Sequence, residues 1–112
     1  MTKRELHTIT RVINAVRIVD DTMPVQTLSV FLGVAQKEPI SISDLATLTG
    51  LAQSSASRNV AALSEWHWLK KPGLGLVKLE VDPMELRKKL VTLTPKGKKL
   101  VEQLTGLVEG RV

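Results

Sequence analysis

The chain has 112 residues, 43% of them hydrophobic, which is room for one domain with a real but modest core. It contains no cysteine, which excludes disulfides, thiolate metal sites and a cysteine redox switch. The formal net charge is +5, and no apolar run approaches the ~20 residues that a membrane span needs.

The first predicted helix covers residues 4–20. Leu6, Ile9, Ile13 and Val16 fall at three- and four-residue steps, Val12 and Val19 widen the stripe, and Arg11 and Arg17 lie to the other side. Charge is mixed with apolar residues throughout this segment, so it has no signal-peptide profile. A second helix begins at Met23-Pro24, with Thr22 as its expected cap. Its apolar set is Val25, Leu28, Leu32 and Ala35, and Val30, Phe31 and Val34 make it apolar on more than one side, as in a helix buried between others.

Pro39 ends that helix, and Ile40-Ser41-Ile42 is long enough only for a stub of strand. Ser43 is the expected N-cap of a short third helix, Asp44 suits its positive first turn, and Leu45, Ala46 and Leu48 give it an apolar face. Thr49-Gly50-Leu51 breaks it, with Gly50 free to take a left-handed conformation. A fourth helix starts near Gln53 or Ser54. Ala56, Val60 and Leu63 recur on its inner side, while Gln53, Ser54, Ser55, Ser57, Arg58 and Asn59 supply polar surface. Helix, glycine turn and a helix with a small polar face make a helix-turn-helix over about residues 43–68. Small hydroxyl residues let such a helix approach bases closely. Arg58 can donate two hydrogen bonds to a guanine, and Asn59 can pair with an adenine.

Residues 69–93 read as a wing. Gly73-Leu74-Gly75 lacks the Gly-x-x-x-x-Gly-Lys pattern of a nucleotide loop and serves to turn the chain from the recognition helix into the hairpin. Leu90 to Leu93 carries the β-branched residues of a short strand, which places Arg87, Lys88 and Lys89 just before it, at a hairpin tip. Thr94 caps the last helix, residues 95–109, and Pro95 suits its first position. From His67 to Lys99 there are nine basic residues against three acidic ones, a localised patch of the kind that binds phosphates. With only two tryptophans, one phenylalanine and no tyrosine, the chain lacks the stacked rings of a single-strand platform. A Ser-rich helix start alone is only a cap, and three cations alone are only a solvated face. It is their order and spacing together that point to duplex DNA.

At these residues the chain resembles the MarR family of winged-helix regulators. That family typically has a wing ending in Asp-x-Arg, then a strand, then Leu-Thr-x-x-Gly opening a helix. Here the matching residues are Glu85-Leu86-Arg87, then Leu90-Val91-Thr92, then Leu93-Thr94-Pro95-Lys96-Gly97, with Gly75-Leu76-Val77 and Asp82-Pro83 leading into the wing. Glu85 stands where aspartate is usual, and the chain ends about one helix early. The resemblance implies a mainly α winged helix-turn-helix with a small β-hairpin, filling residues 1–112 as one domain. It implies a homodimer on double-stranded DNA in a bacterial cytoplasm, chromosomal or phage-encoded, regulating transcription and repressing more often than activating. Small aromatic anions serve as effectors in such proteins, but no convergent polar groups here name a site for one.

The two end helices need partners for Leu6, Ile9, Ile13 and Val16 and for Leu100, Leu104 and Leu107. A second copy would cover both stripes, as the resemblance implies; packing on each other within one chain is the alternative. Trp66 and Trp68, on either side of His67, are expected to anchor the wing to the recognition helix. His7 and His67 lack metal-ligand spacing, and no nucleophile motif, carboxylate pair or cofactor fingerprint emerges, so neither cofactor nor enzyme activity is expected. The competing reading is a winged-helix adaptor that binds another protein, such as a polymerase or a replication component.

Overall fold

Five helices and a three-stranded antiparallel sheet form the computed structural model, which describes residues 2–65 and 72–110. The first helix, α1 (Lys3–Val19), opens on a capping box: Thr2 Oγ1 accepts from the Glu5 N–H at 3.3 Å, and Glu5 Oε1 accepts from the Thr2 N–H at 3.3 Å. The second, α2 (Val25–Lys37), does not use Thr22 as its cap. The Thr22 N–H and hydroxyl both donate to Asp20 Oδ1, at 3.2 and 3.4 Å, so Asp20 organises the turn and Pro24 stands in the cap position. A proline there forfeits no hydrogen bond, because the first N–H groups of a helix have no partner within it.

Strand β1 is the expected stub, Ile40–Ser41, and it runs directly into α3 (Ile42–Thr49). The cap is therefore Ser41 rather than Ser43: Ser41 Oγ accepts from the Asp44 N–H at 3.1 Å while its backbone faces Leu90 in the sheet. One residue thus ends a strand and starts a helix. Gly50, at φ +74°, turns the chain in the left-handed conformation, and α4 (Gln53–Leu63) follows.

The chain then returns along the C-terminal end of α4. The N–H groups of Gly73, Leu74, Gly75 and Leu76 donate to the carbonyls of Glu65, Ala62, Ser64 and Leu63, all at 2.7–3.0 Å. The carbonyls of Ala62, Leu63 and Ser64 are ones a helix end leaves without intrahelical partners, and Glu65 lies just beyond the cap. A Cβ on residue 73 would stand 1.9 Å from the Ser64 carbonyl oxygen, so only glycine allows this approach. Strands β2 (Val77–Asp82) and β3 (Glu85–Leu93) form the hairpin, and the sheet order is β1-β3-β2. Thr94 caps α5 (Pro95–Glu109): its Oγ1 accepts from the Gly97 N–H at 3.1 Å and donates to the Gly75 carbonyl at 2.6 Å.

The core lies where α2, α3 and α4 meet the base of the sheet. Phe31, Leu45, Leu63, Leu76, Val60 and Val91 are fully buried there. Glu38, at the end of α2, ties that helix to the sheet by accepting from the Leu93 N–H at 3.0 Å. At the far end α1 packs on α5, and Ala15 and Val16 join Leu100, Leu104 and Leu107 in the same apolar cluster.

Candidate nucleic-acid interface

Helix α4 has two faces with different tasks. Ala56, Val60 and Leu63 have no exposed surface, so the helix is seated on the core along its whole inner side. Gln53, Ser54, Ser57 and Arg58 are exposed and form an outward polar face. Ser55 is half-buried, and Arg58 Nη2 leans back to its hydroxyl at 3.5 Å.

Asn59 departs from expectation. Its amide makes two hydrogen bonds within the protein: Oδ1 accepts from the Thr27 hydroxyl at 2.7 Å, and Nδ2 donates to the Ser55 carbonyl at 2.9 Å. A bidentate contact with adenine needs both of those atoms. Thr27, the buried partner of Asn59, is a residue that sequence reasoning did not single out. Its signal is its position three, four and seven residues before Val30, Phe31 and Val34, which makes it a polar residue in an inward stripe.

The last strand of the wing is longer than the expected Leu90 to Leu93, and the cations sit within it rather than at the tip. Arg87, Lys88 and Lys89 lie within β3, and the hairpin tip is Pro83-Met84. Val81 faces Lys89, but the next residue, Asp82, faces Glu85. Leu86, Arg87 and Lys88 therefore stand in a bulge with no residue opposite, and bulges re-aim side chains. Here the three cations line one groove with Ser41, Asp44 and Gln53, between the starts of α3 and α4 and the hairpin. The ion pairs Arg17–Asp21, at 2.9 Å, and Lys78–Glu80, at 3.0 Å, involve none of them. The tip and its flank are apolar and acidic: Met84, between Asp82 and Glu85, is 91% exposed, and Leu86, just after Glu85, is 77% exposed. Asp82 Oδ1 accepts from the Met84 N–H at 2.8 Å and holds the turn.

The end stripes divide. Leu100, Leu104 and Leu107 are buried within the chain, and so is Val16. Leu6, Ile9 and Ile13 remain 52, 48 and 44% exposed along the first half of α1. Trp66, His67, Trp68, Lys70 and Lys71 lie outside the described residues. Among the described residues no three side chains group to hold a metal, and no helix is long and apolar enough to cross a membrane.

Residues 31–73 match the model of the IclR helix-turn-helix domain, which covers the end of α2, α3, α4 and the return loop. Comparison with curated protein sequences gave no match. Solved structures with the same fold include RV1404 from Mycobacterium tuberculosis, at TM-score 0.71 and 23% identity, over 92% of this chain and 65% of that one. A MarR transcriptional regulator from Methanosarcina mazei superposes at TM-score 0.68 and 15% identity, over 96% of this chain and 70% of that one. MepR of S. aureus, solved as a DNA complex, does so at TM-score 0.69 and 21% identity, over 94% of this chain and 79% of that one. The chain thus spans 65% of the length of the RV1404 chain. By fold it is a MarR-like winged helix-turn-helix, mainly helical with a small antiparallel sheet.

Proposed function

We propose that this protein binds duplex DNA in a sequence-specific way and regulates transcription, more often by repression than by activation. One observation carries the reading. The exposed row Gln53, Ser54, Ser57 and Arg58 sits on a helix whose other side is wholly buried, and its first residue opens into the groove lined by Arg87, Lys88 and Lys89. A rigid polar helix that fits the major groove thereby stands next to cations that can meet the flanking backbone or minor groove. The match to a helix-turn-helix model and the DNA-bound state of MepR support the same reading. The chemistry is binding rather than catalysis, in the compartment that holds the DNA.

The proposal includes a homodimer. A second copy would cover Leu6, Ile9 and Ile13, whose exposure over successive turns of α1 is costly in water. It would set two recognition helices on half-sites about 10 base pairs apart. Ile9 and Ile13 are exposed in the single chain, so Ile9→Glu with Ile13→Glu should leave it folded and sedimenting at 12.3 kDa, while the unsubstituted chain sediments as a dimer. A 12.3 kDa species for the unsubstituted chain at micromolar concentration overturns the dimer and the paired half-sites.

A second reading has its own support. The apolar, acidic wing tip of Asp82, Met84, Glu85 and Leu86 suits a protein surface better than a polyanion, as in an adaptor. A titration of duplex affinity against salt separates the two. A DNA-binding protein loses affinity along a log–log slope of about −0.9 per neutralised phosphate, whereas an adaptor has no such slope.

A further inference from the structure

Hydrophobic contact is not directional, and the hydrogen bonds from the returning chain hold α4 at its C-terminal end, away from Gln53, Ser54, Ser57 and Arg58. Two of its three buried positions, Ala56 and Val60, are small, and its N-cap, Ala52, provides no side-chain hydrogen bond. The directional link from the neighbouring helix is the hydrogen bond between Thr27 of α2 and Asn59 of α4. Its polarity is set. The Ser55 carbonyl can only accept, so the Asn59 amide must turn Nδ2 toward it and Oδ1 toward Thr27, whose hydroxyl must then donate. Thr27 is 4% exposed, so water has little access to replace it.

We propose that Thr27 and Asn59 are a positioning pair that sets the roll of α4, and with it the base preference of Gln53, Ser54, Ser57 and Arg58, without either residue reading a base. The inference rests on the DNA-reading proposal above. With side chains at a radius of ~5–6 Å from the helix axis, a roll of about 20° moves their tips by roughly 2 Å. A base-edge hydrogen bond tolerates a few tenths of an ångström. Loss of the pair should therefore blur several base positions together, while phosphate contacts made by long, adaptable lysines survive.

The test uses the full chain. A duplex is selected with the unsubstituted protein from a randomised pool, and its affinity is compared with that of a scrambled duplex at one salt concentration. The ratio of the two affinities is unaffected by any fraction that fails to fold, since unfolded chains are lost equally to both. Thr27→Val, which keeps the shape and removes the donor, should lower the ratio about tenfold, comparable with removing one bidentate base pairing. It should also weaken preference at several base positions. Asn59→Ala should reproduce the same pattern, and Thr27→Ser should retain the original ratio. If Asn59→Ala flattens a single position and Thr27→Val leaves the ratio within about twofold, Asn59 reads that base and the positioning role is overturned. If the unsubstituted protein shows no preference for any duplex, the DNA-reading proposal itself falls and takes this inference with it.

Discussion

The recognition helix and the wing are both polar and both face the same groove, but they are held in different ways. Helix α4 is seated on a fully buried face, bridged to α2 through Asn59, and closed at its C-terminal end by four N–H groups of the returning chain. The hairpin is anchored only at its base, where Val77, Val91 and Leu93 reach the core; beyond them, Val81, Met84 and Leu86 stand in water. The difference separates two tasks. A surface that discriminates bases needs side chains fixed to within fractions of an ångström, whereas one that meets phosphates needs charge within reach. The first must be tied to the core, and the second need not be.

The seating of α4 is tested most directly from beneath. Leu63 is fully buried under the last turn of α4, so Leu63→Ala should cost about 2–5 kcal/mol of unfolding free energy in a urea titration. A loss below about 1 kcal/mol would mean that α4 is not seated as described. The next effect is on recognition. Arg58→Ala should lose about 1–3 kcal/mol on the selected duplex and flatten one base position, with little change in stability. An equal loss on scrambled DNA would place Arg58 on phosphate and leave base reading to Gln53, Ser54 and Ser57.

Ser41→Ala sharpens the join between sheet and motif. Removing the cap of α3 should cost roughly 0.5–2 kcal/mol in the same urea titration. Ser43→Ala should cost almost nothing, because Ser43 is exposed and its side chain is not the cap. Replacement of Arg87, Lys88 and Lys89 by alanine should disturb the fold least, within about 0.5 kcal/mol. It should still lower the salt slope of DNA binding by ~0.9 for each phosphate that is no longer neutralised. An unchanged slope would make the bulge a solvated face and leave the wing without a role in binding.

Much of this molecule was legible because local chemistry and tertiary structure agree. Gly50 turns in the left-handed conformation between α3 and α4, and Thr94 with Pro95 opens α5 as their residue types require. Gly97, the glycine of Leu-Thr-x-x-Gly, has a reason the motif alone does not supply. A Cβ there would stand 2.1 Å from the Leu76 carbonyl oxygen, so α5 can pass the segment that leads into β2 only at a glycine. Misplaced features were those in which two local options compete. Ser41 and Ser43 are both good caps, and the pairing of Ser41 with Leu90 decides between them. The hairpin tip could not be placed from strand propensity, because the register jump between Val81 and Asp82 belongs to the pairing of two strands.

The end stripes teach the same lesson. Leu6, Ile9, Ile13 and Val16 form one periodic set, yet the chain buries the last and leaves the other three half-exposed. Leu100, Leu104 and Leu107 look equivalent to them and are all covered. Periodicity tells which residues share a helix face but not how far along that face a neighbour extends.

Helix boundaries to within a few residues, the helix-turn-helix, the hairpin and the basic patch beside it can all be read from residue order. These follow from capping, turn chemistry and apolar spacing, which act over a few residues. The hydrogen-bond partners of Asn59, the groove that the wing cations line and the apolar stripe left open come instead from long-range packing. Each of those depends on a partner distant in the chain: Thr27 lies 32 residues from Asn59, and the groove around Arg87 is completed by Ser41 and Gln53. A polar side chain carries no local sign of whether its hydrogen bonds will be made inside the protein or outside it, and in this chain that choice sets Asn59, bonded to Thr27 and Ser55, apart from the exposed Gln53, Ser54 and Ser57.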